Sequence, residues 1–579
     1  MSQFAKILPS WDWITNYRSA DLRGDLTAGF TTAVMLIPQG MAYAMLAGLP
    51  PIVGLYASTV PLVIYALFGT SYRLAVGPVA MVSLLTAAGV GAIADGSTAA
   101  YVAYAVLLAL MVGVMQLGMG LVRMGFLTNF LSHPVISGFT SAAALIIGFS
   151  QLKHLMGLDL ERSKNIFYIL QQAFENLGAV QPVTLAIGLG SIALLLVLKK
   201  VRPLWPRALA VVALATTVVW SLGLHQSANV AIVGDVPAGL PGFSVPEFSW
   251  EAIRKLLPIA LTISLVGFME SIAVAKRVAT KHGRGDAIDS NKELIGLGLA
   301  NIGGAFFGSY PVTGGFSRTA VNEQAGAKTG LAGIITAVVI GVTLLFLTPL
   351  FYFLPKAVLA AIIMTAVFGL IDLQEVRHLW KVKRGDLALL GITFVATLLL
   401  GIEEGILVGV GASLLWFIFR STTPHYAVLG RLPGTETYRN MERHPQAERL
   451  PGVLALRIDS QFYFGNVSFL KETLAEEEAN LDEPLRAFVL DASSINQLDS
   501  SADTALRQVL ADYRDRDIPV YLAGTKGPVL DVMKRSGFWY ELGSEHFTHD
   551  VHSAMQSVCE EIGASMDDAR PANPSAAAA

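Results

Sequence analysis

"GSYPVTGGFSRTAVNEQAG", residues 308–326, lies between long apolar runs yet carries a proline, paired glycines and an arginine. A helix over 316–326 would span only about 15 Å, half of the roughly 30 Å hydrocarbon core of a bilayer. A helix that starts inside a membrane leaves its first N–H groups without partners. Arg318 adds a full charge at a depth where its insertion costs about 2.5–3.5 kcal/mol, so a functional reading is the default. The competing reading pairs Arg318 with a structural carboxylate, Glu270 or Glu323.

The surrounding chain makes the membrane setting unavoidable. Its 579 residues are 53% hydrophobic and 15% charged, and the mean hydropathy is +0.55, too apolar for an ordinary soluble protein. Apolar runs predict fourteen helices at 26–43, 51–69, 78–93, 99–122, 131–153, 182–200, 206–224, 256–277, 288–307, 316–326, 330–350, 355–371, 386–401 and 403–420. The first residues lack a basic start followed by an apolar core and cleavage site, so no signal peptide is expected.

Basic residues set the orientation, because cytoplasmic loops gather Lys and Arg. With the N-terminus inside, Arg123, Lys199, Lys200, Arg202, Arg207, Lys276, Arg277, Lys281, Arg284, Arg377, Lys381, Lys383 and Arg384 fall in cytoplasmic loops, whereas Lys153, Arg162, Lys164, Arg254 and Lys255 depart from the trend. Both ends are then cytoplasmic, and the inner membrane of the cell is the expected location.

"LFGTSYRLAVGPVAM" (67–81) matches "FFGSYPVTGGFSRTA" (306–320) in its approach to a glycine-containing break and a short helix. The two stretches fall at helices three and ten of two seven-helix halves. Seven is odd, so the second half is inverted, and interrupted segments at matched positions of inverted repeats point to a transporter's binding site. Two facing helix starts, each carrying about +0.5 of an elementary charge, form an anion site. Arg318 supplies a fork of donors suited to oxyanions.

Other polar residues in the apolar helices extend this site. Gln39 and Tyr43, four apart after Pro38, share a face of helix one, as an anion contact or as a helix kink with an interhelical amide bond. Glu270 is the lone acid in "LTISLVGFMESIAVAKRVA" (261–279), a proton carrier, a partner of a sodium ion or a counter-charge to Arg318. No second acidic residue is expected in the core. Gly401, Gly405 and Gly409 read as a packing ladder. One cysteine, Cys559, excludes a disulfide framework, and the histidines show no metal-ligand spacing. No phosphate loop, nucleophile elbow or zinc-protease motif occurs, so neither a cofactor nor an enzymatic reaction is expected. The net charge of −3 gives no reason to expect nucleic acid.

From about residue 421 the composition changes. The expected divisions are a cytoplasmic segment at 1–22, the membrane domain at 23–420, a linker at 421–450, a small α/β domain at 451–562 and a disordered end at 563–579. Strands are expected in "GVLALRID", "LRAFVLDAS" and "IPVYLAG", with helices at 467–477, 500–515 and 526–536.

"IPQGMAYAMLAGLPPIVGLYAS" (37–58), "LAVGPVAM" (74–81), "GGFSRTAVNEQAG" (314–326) and "FVLDASSINQLDSSADTALRQVL" (488–510) together resemble the SulP family of anion transporters, over about residues 20–560. The resemblance implies a polytopic α-helical membrane protein. Its fourteen transmembrane helices form seven-plus-seven inverted repeats, with a cytoplasmic STAS domain and a homodimeric assembly. A core of helices 1–4 and 8–11 would move like an elevator against a gate of helices 5–7 and 12–14. Gln39, Tyr43, Val79, Ala80, Gly315, Phe316, Ser317 and Arg318 match substrate-site positions, and Glu270 matches the acidic position linked to coupling. Sulfate is the expected oxyanion and a proton the expected coupling cation. Bicarbonate with sodium, a dicarboxylate with protons, and an anion channel or a sensor acting through the STAS domain remain as alternatives. "DSSAD" places a regulatory phosphate acceptor at Ser501, although Ala502 replaces the usual glycine; an N-cap by Asp499 or Ser500 is the competing reading.

Overall fold

The protein is described by a computed structural model covering residues 9–94, 97–129, 132–160, 166–201, 206–282 and 288–571. Arg162, Lys164, Arg202 and Arg284, used above to orient the helices, lie outside the described residues. The chain divides into two compact units, residues 1–413 and 414–579.

The expected helices are present one for one, the last of them crossing the boundary at residue 413. They are α1 (Ser19–Leu46), α2 (Pro51–Phe68), α3 (Ala80–Gly91), α4 (Thr98–Leu121), α5 (His133–Ser150), α6 (Pro182–Val201) and α7 (Arg207–Ser221). The second half comprises α8 (Trp250–His282), α9 (Ser290–Ala305), α10 (Phe316–Gln324), α11 (Leu331–Phe351), α12 (Lys356–Val367), α13 (Arg384–Leu400) and α14 (Ile402–Thr422). Nine spans among the described residues are long and apolar enough to cross a bilayer. The short α3 and α10 are not among them, because each is preceded by a break in mid-membrane.

Much of the packing repeats when helices of the first half are exchanged for those seven places later. α1 lies against α11 and α8 against α4; α5 lies against α13 and α12 against α6; α2 and α9 lie against each other. These contacts depend on missing side chains. A Cβ on Gly54 would stand 1.9 Å from the Gly40 carbonyl oxygen, and one on Gly113 2.6 Å from the Ile302 amide. The Gly405 and Gly409 positions of the expected ladder do face Thr397 and Thr393 at similarly close range. Small residues let backbones approach where no hydrophobic effect drives helices together.

The second unit is an α/β sandwich with helices on both faces of its sheet. β3 (Tyr426–Arg431), β4 (Tyr438–Asn440) and β5 (Glu448–Arg449) precede β6 (Val453–Ile458), α15 (Val467–Ala479), β7 (Ala487–Asp491), α16 (Ser500–Arg514), β8 (Val520–Ala523), α17 (Gly527–Ser536), β9 (Phe547–Thr548), α18 (Val551–Ile562) and β10 (Arg570–Pro571). The sheet order is β10-β5-β3-β6-β7-β8-β9, with β4 beside β3 and a parallel run from β6 to β9. Alternation sorts the side chains: Leu454, Leu456, Phe488, Leu490 and Leu522 join Leu470, Leu506 and Val529 on one face. Val453, Ala455, Val489 and Tyr521 meet Met555 and Val558 of α18 on the other.

Two expected boundaries need correction. The expected linker, 421–450, holds β3, β4 and β5; the alternation in "YAVLGR" becomes meaningful only once Val428 finds Leu456 across the antiparallel ladder. The expected disordered end also contributes structure, since β10 pairs Arg570 with Arg449. Residues 572–579 of that end lie outside the described residues.

Substituting Gly54 by alanine forces α1 and α2 apart at their closest approach. Overpacking of this kind costs about 1–3 kcal/mol. The purified G54A protein should therefore melt several degrees below the wild type in the same detergent, as read by tryptophan fluorescence during heating.

Candidate functional site

The broken approaches to α3 and α10 meet at the centre of the membrane unit. β1 (Val76–Gly77) and β2 (Thr313–Gly314) pair antiparallel, Val76 opposite Gly314 and Gly77 opposite Thr313. Two residues suffice because each strand turns at once into its helix, beginning at Ala80 and Phe316. Gly77 has φ +151° and a virtual Cβ 3.4 Å from an Arg318 nitrogen, so an L side chain would be strained and crowded there. No side chain caps the first amides of α3 or α10. Both helix starts therefore keep backbone donors and partial positive charge available.

Arg318 is 1% exposed. One terminal nitrogen donates to the Pro78 carbonyl and the other to the Ala75 carbonyl at 3.5 Å. The expected open fork is therefore largely occupied, because the guanidinium bridges α10 to the segment entering α3. Its Nε is buried with no protein partner. Among the described residues Arg318 forms no ion pair, so a structural pairing with Glu270 or Glu323 does not account for it. Thr319 Oγ1 accepts from the Ala75 amide at 3.0 Å, and Asn322 Nδ2 donates to the Arg73 carbonyl at 2.9 Å.

The expected site residues divide by depth. Gln39, Tyr43, Val79, Ala80 and Gly315 are buried, whereas Phe316 and Ser317 are exposed. Gln39 Oε1 is a second buried polar atom without a protein partner. Glu270 is half-buried on α8, and Arg318 stands within electrostatic reach of Tyr43, Glu270 and Tyr310. The Arg277 guanidinium lies 5.1 Å from the centre of the exposed Phe316 ring. One orphaned buried donor, Arg318 Nε, two uncapped helix starts and one unpaired guanidinium charge form a setting suited to a small anion, toward which Gln39 serves only when its amide turns its NH2 group inward.

Several residues that hold this centre together lie outside the set of expected site residues. Asn301 fixes both backbone groups of Val312, accepting at 2.8 Å and donating at 3.1 Å. The Thr313 hydroxyl meets the Gly267 carbonyl and Ser271, and Ser271 Oγ accepts from the Gly314 amide at 2.8 Å. Two buried acids also correct the expectation of a core with no acid besides Glu270. Glu293 accepts from the Tyr65 hydroxyl at 2.7 Å, from the amides of Thr70 and Ser71, and from the Thr70 hydroxyl. Asp25 accepts from the amides of Lys328 and Thr329 and from the Thr329 hydroxyl. Their oxygens are occupied by loop donors, which marks them as anchors of the turns. A polar residue inside an apolar helix, as in "KELIGLGLANIGG" (292–304), was the available signal for Glu293 and Asn301.

In the second unit Ser501 is exposed in the first turn of α16. The cap is Asp499, which accepts from the Ala502 amide at 2.8 Å and from the Phe464 amide at 2.8 Å.

Comparisons with known proteins bear on the whole chain. Residues 22–393 match the model of the sulfate permease family, and residues 444–554 match the STAS domain. The chain is 43% identical to "Sulfate transporter 4.1, chloroplastic" of Arabidopsis thaliana, over 96% of this chain and 82% of that protein. Its fold is similar to that of the murine solute carrier 26 family member A9 anion transporter in the inward-facing state, with TM-score 0.89, 25% identity and coverage of 97% and 95% of the two chains. The membrane domain of a cyanobacterium bicarbonate transporter, BicA, aligns with TM-score 0.59 and 26% identity, over 69% of this chain and 98% of that one.

Arg318→Ala removes both carbonyl bridges and the site's unpaired charge. Hydrogen bonds from a charged donor contribute about 1.5–3 kcal/mol each, so the variant should melt lower and lose anion binding by calorimetry. Arg318→Lys should recover part of the binding. Wild-type affinity in a folded Arg318→Ala protein would exclude the residue from an anion site.

Proposed function

The chain belongs to the sulfate permease family, and from that membership we propose that it takes up sulfate with protons by elevator-like alternating access. It is an anion transporter and not an enzyme. The observation that carries the reading is the pairing of two half-helix starts around a buried arginine whose Nε has no protein partner. An oxyanion accepts donors from several directions, so the free amides of α3 and α10, Arg318 Nε and the rotatable Gln39 amide can serve different oxygens of one sulfate. Sulfate is supported by the names of the plant relatives.

Alternating access needs a binding centre that moves as one body. α3 and α10 are stitched together by β1–β2 and by Arg318, Thr319 and Asn322. The anion would therefore travel with both helix starts, while α5–α7 and α12–α14 stay behind. Exposure of Phe316 and Ser317 beside buried Gln39 and Val79 suits a state open on the side of α10.

Glu270 is the carboxyl group proposed for coupling, because it faces this centre without an ion-pair partner among the described residues. Its protonation would offset the charge of the entering dianion, and its release on the cytoplasmic side would complete the cycle. The second reading is bicarbonate uptake with sodium, supported by the likeness of the membrane domain to BicA. The proposed setting is the inner membrane, with both chain ends in the cytoplasm and two chains per assembly.

Purified protein in proteoliposomes should accumulate labelled sulfate above equilibrium under an inward proton gradient, with sodium absent and the membrane potential clamped. Failure of a folded preparation to do so, combined with sodium-driven bicarbonate uptake, would select the second reading. Glu270→Gln should retain sulfate exchange but lose proton-driven accumulation. Wild-type accumulation in that variant would exclude Glu270 as the carrier.

A further inference from the structure

A cavity of about 720 Å³ opens at the end of the membrane unit where α1 and α3 finish. By the helix count above, this is the face opposite the cytoplasm. Lys153, His154 and Lys356 line it, together with Ser97, Thr98 and Tyr101, and no Asp or Glu lines it among the described residues. Lys153 and His154 keep further contacts of their own.

Lys356 is the most informative of the three. It is the first residue of α12, where the helix already carries about +0.5 of an elementary charge, so a cation there is locally unfavourable. Among the described residues it forms no ion pair. The backbone nevertheless fixes it firmly: its amide donates to the Ala231 carbonyl at 2.9 Å, Ile232 bridges Pro355, and the Val233 amide donates to the Leu354 carbonyl at 2.9 Å.

Helix ends do not neutralise the cavity. Leu46, Gly91 and Ser150 bring the C-termini of α1, α3 and α5 to its wall, while Pro51, Thr98 and Lys356 bring the N-termini of α2, α4 and α12. Three ends of about −0.5 and three of about +0.5 cancel, which leaves the Lys356 charge without a counter-charge among the described residues. One helix also links the cavity wall to the inner site. On α3, Leu84, Ala88 and Gly91 in the wall follow Ala80 at the spacing of one helix face.

We propose that this cavity is an outer oxyanion vestibule, in which Lys356 concentrates the anion before it passes along α3 to Ala80 and Arg318. The inference rests on the transport reading above. Cationic clefts with low-dielectric walls raise the local concentration of an anionic substrate, and the gain falls with ionic strength.

The test uses the full chain in proteoliposomes of defined orientation. Lys356→Gln should raise the KM for sulfate offered to the outer face roughly threefold to tenfold at low ionic strength. It should leave kcat and the KM at the cytoplasmic face unchanged, and flatten the salt dependence of uptake; Lys356→Arg should restore all of these. An unchanged outer KM, or an equal rise on both faces, would overturn the vestibule. A second readout does not need transport: millimolar sulfate should protect Lys356 of the wild type from an impermeant amine-reactive reagent, read by peptide mass spectrometry. Protection without any sulfate accumulation would defeat the transport reading and leave the vestibule standing. Accumulation without protection would do the reverse.

Discussion

A backbone that breaks its helix inside a bilayer must find partners for its N–H and C=O groups, and the rest of the membrane unit is arranged around that requirement. The two breaks satisfy each other first, through the short β1–β2 ladder. What the ladder leaves over is taken up by side chains drawn from neighbouring helices: Asn301 on α9, Ser271 on α8, and Arg318 and Thr319 on α10. Unpaired groups in hydrocarbon cost several kcal/mol each. Helix interruption is therefore stable only where such a polar cluster is already packed, and the amides left free after that packing are the ones available to a ligand.

The same constraint explains where the acids stand. Glu293 and Asp25 are occupied by turn amides at the ends of the short helices, so their charge is matched locally. Glu270 has no such donors among the described residues and instead shares the field of Arg318. Three carboxylates embedded in apolar helices thus differ in chemical availability, and the difference follows from which loops fold back upon them.

Close packing sets what can move. The mutual approaches of α1 with α2 and of α4 with α9 pass through glycines whose virtual Cβ atoms collide with backbone; these pairs are rigid at the scale of a single atom. In contrast, the outer cavity lies between α1, α3 and α4 on one side and α5 and the start of α12 on the other. Unfilled volume at such a boundary offers room for the helix bundle to shift without opening the glycine contacts.

How much of this was legible in the chain depends on the range of the interactions involved. Hydrophobic run length and the 314–315 break are local properties, so the fourteen helices, the two short ones and the α/β character of residues 451–562 follow from the sequence. Arg318 and Glu270 also stand out, because a charge in an apolar run is visible without a partner. The strands β3 and β10 are not legible in the same way, since Val428 pairs with Leu456 and Arg570 with the far more distant Arg449. Nor could the sequence tell that Arg318 spends its terminal nitrogens on the Pro78 and Ala75 carbonyls, or that Glu293 caps residues 70–71. Those partners lie more than 200 positions away along the chain, and only the crossing of two inverted halves brings them within hydrogen-bonding distance.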